Sequence, residues 1–277
     1  MKEKFKNFAR AATPPFILYV LKGVFRPKHF EYDGNFSNWP SALEQSEGYD
    51  NPAIFEKVKN ARLAVLRGEK AYERDSVLFD ETQYFWPLLS ALLYAAAKNG
   101  GRLSVLDFGG SLGSSYFQNL PFLKALPELS WSIVEQKQFV DFGRTALQSA
   151  HLKFYESIGE CLASEKPNVV LLSSALQYVE KPYELLAELK KKKIRSIIFD
   201  RTIFLEHLPD RLTVQHPPKK IYTATFPAWF FGLQKFKKFF EPEYRPIAEW
   251  PSIGDPIPLK DTVGRNKGLL FELNERT

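Results

Sequence analysis

Residues 102–113 read RLSVLDFGGSLG. Leu103 to Asp107 is an apolar run closed by an acid, Gly109, Gly110 and Gly113 bend the chain, and Ser114 opens a helical pattern. The order is strand, tight glycine turn, helix. Glycine suits such a turn because a missing Cβ permits positive φ and lets a ligand approach the backbone. The following helix leaves its first N–H groups free at the same place. The spacing Asp107-x-Gly109-Gly110-x-x-Gly113 is not the dinucleotide fingerprint G-x-G-x-x-G. Two readings therefore stand side by side, a nucleoside-binding turn and a plain strand-to-helix corner.

Outward from this turn, strand and helix patterns alternate, which marks a mostly parallel sheet covered on both faces. Strands are expected at 103–108, 130–135, 152–155, 168–173 and 195–200, with helices near 114–126, 137–149, 158–165 and 182–192. Pro121 is expected to break the first of these helices in two. Residues 201–225 read as a long, aperiodic excursion on the substrate side, followed by a helix at about 228–239 and strands at 244–250 and 268–273. Two closing strands with no helix between them imply an antiparallel end to the sheet. Upstream, residues 31–100 read as an accessory, largely helical segment or lid, with helices at about 53–66 and from Pro87. Its aromatics Phe30, Tyr32, Phe36, Trp39 and Tyr49 suit either a core or a pocket wall. The remainder, 101–277, reads as one main domain.

The net charge of +6 resides in a basic amphipathic leader, residues 1–30, which carries seven Lys or Arg against Glu3. The remaining chain holds 31 basic and 31 acidic side chains, so it lacks the charge pattern of a nucleic-acid binder. In the leader, Phe16, Ile17, Val20, Leu21 and Val24 recur at helical spacing, over a stretch too short to span a bilayer. Residues 1–28 either touch an anionic membrane surface or dock on their own domain. The single cysteine, Cys161, excludes an internal disulfide framework and fits a cytoplasmic protein, soluble or peripheral at the inner face of a membrane.

In open parallel sheets ligands bind beyond the carboxyl ends of the strands. Four strand ends then form one surface: Asp107 with the glycine turn, Glu135-Gln136, Ser173-Ser174 with Leu176-Gln177-Tyr178 beyond, and Asp200-Arg201-Thr202. A carboxylate at the second end, Glu135, suits both hydroxyls of a ribose. Among acids and bases placed for proton transfer, Asp200 has the strand-end position, while His207 and His216 lie in the excursion and also read as surface residues. Arg201 either pairs with Asp200 or faces an anionic ligand, and Tyr178, Tyr222 and Trp229 suit a stacking wall or the core. No metal-ligand spacing is present.

The run VLDFGGSLG resembles the first motif of class I S-adenosylmethionine-dependent methyltransferases, with Ser111 where that motif has its middle glycine. ERDSVLFDETQYFWPLL (73–89), VLDFGGSLGSSYFQN (105–119), IVEQ (133–136), VVLLSSALQYVEKPYE (169–184), FDRTIF (199–204), DRLTVQ (210–215) and IYTATFPAW (221–229) resemble a methyltransferase family found with bacterial surface-polysaccharide genes. The resemblance implies a Rossmann-like α/β fold whose seven-stranded sheet has its last strand inserted antiparallel. It implies S-adenosyl-L-methionine as cofactor, with Asp107, Gly109, Gly110, Ser111 and Gly113 around its amino-acid part and Glu135 on the ribose. It sets Gln136 beside that ribose carboxylate, Ser174, Leu176 and Gln177 near the methyl group, and Ser157 and Ile158 as adenine contacts. It further implies O-methylation of a small or lipid-linked saccharide acceptor. An NAD-dependent oxidoreductase and a non-catalytic nucleoside-binding scaffold are the rival readings.

Overall fold

The computed structural model describes residues 31–48, 52–218, 221 and 224–275, so the leader calls, Phe30, Tyr49 and Tyr222 lie outside the described residues. The glycine-turn stretch gives β4 (Arg102–Phe108) and α4 (Ser114–Leu123). Before it come β1 (Tyr32–Phe36), α1 (Trp39–Leu43), α2 (Pro52–Leu66), the hairpin β2 (Tyr72–Arg74) and β3 (Val77–Phe79), and α3 (Trp86–Ala97). After it come β5 (Glu128–Val134), α5 (Lys137–Ala146), β6 (Leu152–Tyr155), α6 (Ile158–Ser164), β7 (Val169–Ser173), a 3₁₀ turn (Leu176–Tyr178) and α7 (Pro182–Lys191). The chain closes with β8 (Ser196–Leu205), β9 (Arg211–Gln215), β10 (Phe226–Gly232), α8 (Leu233–Phe240), β11 (Tyr244–Pro251), β12 (Ile257–Pro258) and β13 (Val263–Leu273).

The central sheet runs β6-β5-β4-β7-β8-β13-β11. β13 lies antiparallel between β8 and β11, and the first five strands are parallel. This is the α/β architecture with an inserted antiparallel last strand that the sequence predicts. Alternation along each strand divides two cores: Val105, Leu171 and Ile198 face the helices α2 to α5, whereas Leu106, Leu172 and Ile197 face α6 to α8.

Four expectations are corrected. The fifth strand does not stop at 200 but runs to Leu205, and the excursion contains β9, which pairs with β1 on one side and β10 on the other. The helix expected from 228 begins at Leu233, because FPAWFFG buries both faces as strand β10 while LQKFKKFF carries the helical stripe Leu233, Phe236, Phe240. Pro121 leaves α4 in one piece: the helix ends at Leu123, so the missing N–H falls in its last turn. Residues 31–100 are likewise mixed, contributing β1 to the sheet edge and a hairpin besides their helices.

The prolonged β8 opens the sheet. Phe204 pairs with Arg265 of β13 on one edge and with Phe231 of β10 on the other, the edge that β7 occupies only up to the pair Ser173 and Asp200. Between the end of β7 and the start of β10 pairing, the chain 174–178 turns away, and a cleft lies there. At the same level β8 bulges, with Asp200 and Arg201 opposite the one residue Gly268, and Arg201 adopts φ +48°. Such bulges re-aim side chains. Here Asp200 turns inward and Arg201 turns toward the cleft.

Candidate functional site

β4 carries Asp107 to the mouth of the sheet, and the turn after it packs so closely on Asp107 and Ala175 that two of its positions admit no side chain. Gly109 has φ +70°, and a Cβ there would stand 2.6 Å from the Ala175 Cβ. A Cβ on Gly110 would stand 2.6 Å from the Asp107 carboxylate. Ser111 holds φ +54° in place of a glycine, and its N–H donates to Glu135 Oε2 at 3.3 Å. Glu135 Oε1 accepts from the Gln136 N–H at 2.9 Å, so two backbone donors orient one half-buried carboxylate over the turn. Burial pushes the Glu135 carboxyl above the usual range.

Asp107 is buried, and Trp131 Nε1 donates to its Oδ2 at 2.9 Å, while its Oδ1 has no partner. Loss of hydration raises its pKa to about 7. An orphaned carboxylate oxygen under a turn with no room for a side chain is a cradle for a donor-bearing or cationic ligand.

Two further spaces meet this cradle. One, of about 300 Å³, is lined by Phe108, Glu135, Gln136, Glu156, Tyr178 and Val179 and shares Gly109 and Ser174 with it. The other, of about 260 Å³, includes Tyr32, Arg74, Gln177, Tyr178, Gln215 and Asn266, and shares Asp75, Ser174 and Arg201 with it. Ser174, at φ +55°, borders all three. Five of the six described non-glycine residues at positive φ, namely Asp75, Ser76, Ser111, Ser174 and Arg201, belong to the cleft or its hairpin. Backbone strain gathers where a binding surface overrides local preference.

The structure thus brings together Asp107, Gly109, Gly110, Ser111, Glu135, Gln136, Ser174 and Gln177. Gly113, at φ +85°, caps α4 just behind them. Leu176 does not join them, because its side chain is fully buried beneath the 3₁₀ turn. Ser157 caps α6 by accepting the Glu160 N–H, and Ile158 is buried; their neighbour Glu156 lines the cavity instead.

None of the three residues expected to move a proton lines the cleft. Asp200 is 2% exposed and accepts from Ser252 Oγ at 2.8 Å, Trp250 Nε1 at 3.3 Å and Ser173 Oγ at 3.3 Å. His207 is exposed beyond the end of β8, about 23 Å along the chain from Asp200 at strand rise. His216 turns outward between Gln215 and Pro217, its Nε2 3.2 Å from Asp33 Oδ1. Trp229 donates to the Val179 carbonyl from within the core, so of the proposed aromatic wall Tyr178 alone is at the cleft among described residues.

The hairpin β2–β3 supplies what the linear reading lacks. Asp75 reaches into two of the spaces and pairs with Arg201 at 2.5 Å. Its neighbour Glu73 is fully buried, accepts from Arg62 Nη2 at 2.6 Å and from the hydroxyl of Ser114, and so ties α2, the hairpin and the first turn of α4 together. No helix among the described residues is long and apolar enough to cross a membrane, and these residues contain no group of metal-ligating side chains.

No protein-family model and no curated protein matches the chain by sequence. Its structural neighbours include S-adenosylmethionine-dependent methyltransferases. The magnesium protoporphyrin IX methyltransferase of Synechocystis PCC 6803 with bound SAM has a TM-score of 0.42 and 13% identity over 68% of this chain and 79% of that one. The N-terminal domain of EvdMO1, solved with SAH and D-fucose, has a TM-score of 0.47 and 12% identity over 82% and 98%. A methyltransferase from Clostridium acetobutylicum ATCC 824 has a TM-score of 0.46 and 9% identity over 78% and 98%. At such similarity none of them assigns a ligand to the cleft.

Proposed function

We propose that this chain is an S-adenosylmethionine-dependent methyltransferase, acting on a hydroxyl of a saccharide or saccharide precursor for surface polysaccharide. The observation that carries the cofactor half is the cradle: the orphaned Oδ1 of Asp107 beneath a turn where Gly109 and Gly110 leave no space for a Cβ. The saccharide half is supported by the sequence resemblance of residues 73–89, 105–119 and 169–184.

The residues fit that cofactor. Asp107 would face its amino-acid end, Glu135 would accept the ribose hydroxyls, and the space between Phe108, Gln136, Glu156 and Val179 would take the base. When bound, the cofactor supplies a methyl group activated on a sulfonium. The chain's own task is then alignment of an acceptor hydroxyl and removal of its proton. Ser174, common to all three spaces, and Asp75 with Arg201 stand where acceptor and cofactor would meet.

Titration calorimetry with S-adenosylmethionine, S-adenosylhomocysteine and NAD tests this. Micromolar binding of the first two, none of NAD, and a loss of about tenfold or more in Glu135→Ala are expected, the size of one or two hydrogen bonds to a charged group. Binding of NAD alone would turn the reading to an oxidoreductase, and binding of none of them to a scaffold.

A further inference from the structure

The space beside the glycine cradle has a hydrogen-bonding imbalance of its own. Gln177 and Asn266 both line it, and they are 2% and 9% exposed. The Gln177 amide nitrogen donates to the Arg201 carbonyl at 3.1 Å, and the Asn266 amide nitrogen donates to the Ile253 carbonyl at 2.6 Å. Those bonds fix both amides. Gln177 Oε1 and Asn266 Oδ1 are left buried without a donor. Two orphaned acceptors at one cavity are unusual, since each carries the full penalty of lost hydration.

The remaining lining says what would relieve them. Glu31 and Asp75 add two carboxylates and Arg74 and Arg201 two guanidinium groups, Arg201 pairing with Asp75 and Arg74 lying over the Phe79 ring. Glu31 Oε1 accepts from Gln215, which in turn accepts from the Tyr178 hydroxyl, so that side of the wall is held rigid. Tyr178 and Phe226 meet edge to face at 5.2 Å, and Tyr32 and Phe79 complete an aromatic surround. Two guanidinium groups balance two carboxylates, the orphaned amide oxygens ask for donors, and ring faces are present. An apolar ligand would leave the orphans unpaired. A dianion would upset the balance of two carboxylates against two guanidinium groups and would still leave the orphaned acceptors without a donor.

We infer that this cavity is a binding site for a neutral, polyhydroxylated ring, whose hydroxyls donate to Gln177 Oε1, Asn266 Oδ1 and the Asp75 carboxylate. Calling that ring the methyl acceptor rests on the methyltransferase reading; the site itself does not. Asp75 and Ser174 border both this cavity and the cradle, so the hydroxyl at Asp75 is the one directed at the cofactor side.

Saturation-transfer NMR on the full chain, with and without S-adenosylhomocysteine, tests the site using the methyl glycosides of glucose, galactose, mannose, rhamnose and N-acetylglucosamine. Cyclohexanol and inorganic phosphate serve as the apolar and anionic probes. At least one glycoside is expected to saturate at millimolar concentration, with affinity lowered about tenfold in Gln177→Met and in Asn266→Leu. Asn266→Leu should keep the wild-type affinity for S-adenosylhomocysteine, which also shows that it folds, and for Gln177→Met, which stands beside the proposed cofactor site, a wild-type urea midpoint shows that it folds. Homocysteine-nucleoside binding with no saturable glycoside, or glycoside binding indifferent to both substitutions, would overturn this site and leave the cofactor reading intact. Glycoside binding that depends on the two amides, without any binding of the nucleoside, would keep this site and overturn the methyltransferase. Phosphate competing with the glycoside at low millimolar concentration would overturn the neutral ligand class.

Discussion

Asp200 shows how much one residue's environment decides about its role. Sequence places it at a strand end with a neighbouring arginine, the pattern of an exposed acid beside a pocket. In the molecule the bulge opposite Gly268 sends it inward, where a Cβ on Gly268 would lie 2.0 Å from the Trp250 indole that donates to it. Asp200 therefore pins β8 to the 250–252 turn and to the end of β7, and Arg201 takes the cleft. Asp200→Ala strips three donors of their acceptor. It should cost about 2 to 4 kcal/mol of unfolding free energy, Trp250 being unable to find another partner as the serines can. Urea titration measures this, with S-adenosylhomocysteine affinity expected to stay within about threefold, which is about 0.7 kcal/mol. Wild-type stability in the variant would return Asp200 to the list of catalytic candidates. The residues legible from sequence were those whose chemistry is local: Asp107 and the glycines share one turn, and Glu135 follows its own strand. Glu156 follows β6 directly and lines the cavity, and its signal in sequence is its place as an acid at the third strand end, one residue before the cap Ser157.

At the scale of elements, the parallel strands were readable because both faces are covered and each appears as a short apolar run bounded by turns. The excursion was not, since β9 and β10 are paired only with each other, with β1 and with the tail of β8, through contacts the local pattern does not encode. The same holds for the hairpin that delivers Arg74 and Asp75. Its two three-residue strands are too short to show a period, and what fixes the hairpin is the buried pair Arg62 and Glu73, with Ser114 donating to the same carboxylate oxygen. Removing one member of such a pair leaves a charge buried alone, at about 3 to 5 kcal/mol, whereas replacing both by apolar groups is often nearly neutral. Arg62→Met and Glu73→Leu should therefore each destabilise strongly and the double variant should recover most of the loss. A double-mutant cycle by urea unfolding, with S-adenosylhomocysteine affinity read in parallel, checks it. Additive losses would mean that the pair is not what docks the hairpin.

For the whole molecule the carboxyl edge of the sheet is a concentration of buried acid. Burial raises Asp107, Glu135 and Asp200 together, with Asp107 reaching about 7. The folded chain then holds these protons to higher pH than the unfolded chain, in which aspartate titrates near ~3.9 and glutamate near ~4.3. Stability is fully present below those values and is lost as pH rises through the folded ones, from about 4 to about 7 for Asp107. At ~1.4 kcal/mol per pKa unit, wild type should lose about 2 to 3 kcal/mol more than Asp107→Asn between pH 5 and pH 8, measured by urea unfolding. The same linkage reaches the ligand. A cationic occupant of the cradle favours the ionised carboxylate, so S-adenosylmethionine affinity should climb from pH 6 to pH 8 in wild type and stay flatter in Asp107→Asn. Equal slopes in the two proteins would move the pH dependence to Glu135 or Asp200. They would also mean that the orphaned oxygen of Asp107 meets an uncharged donor rather than the cofactor's ammonium group.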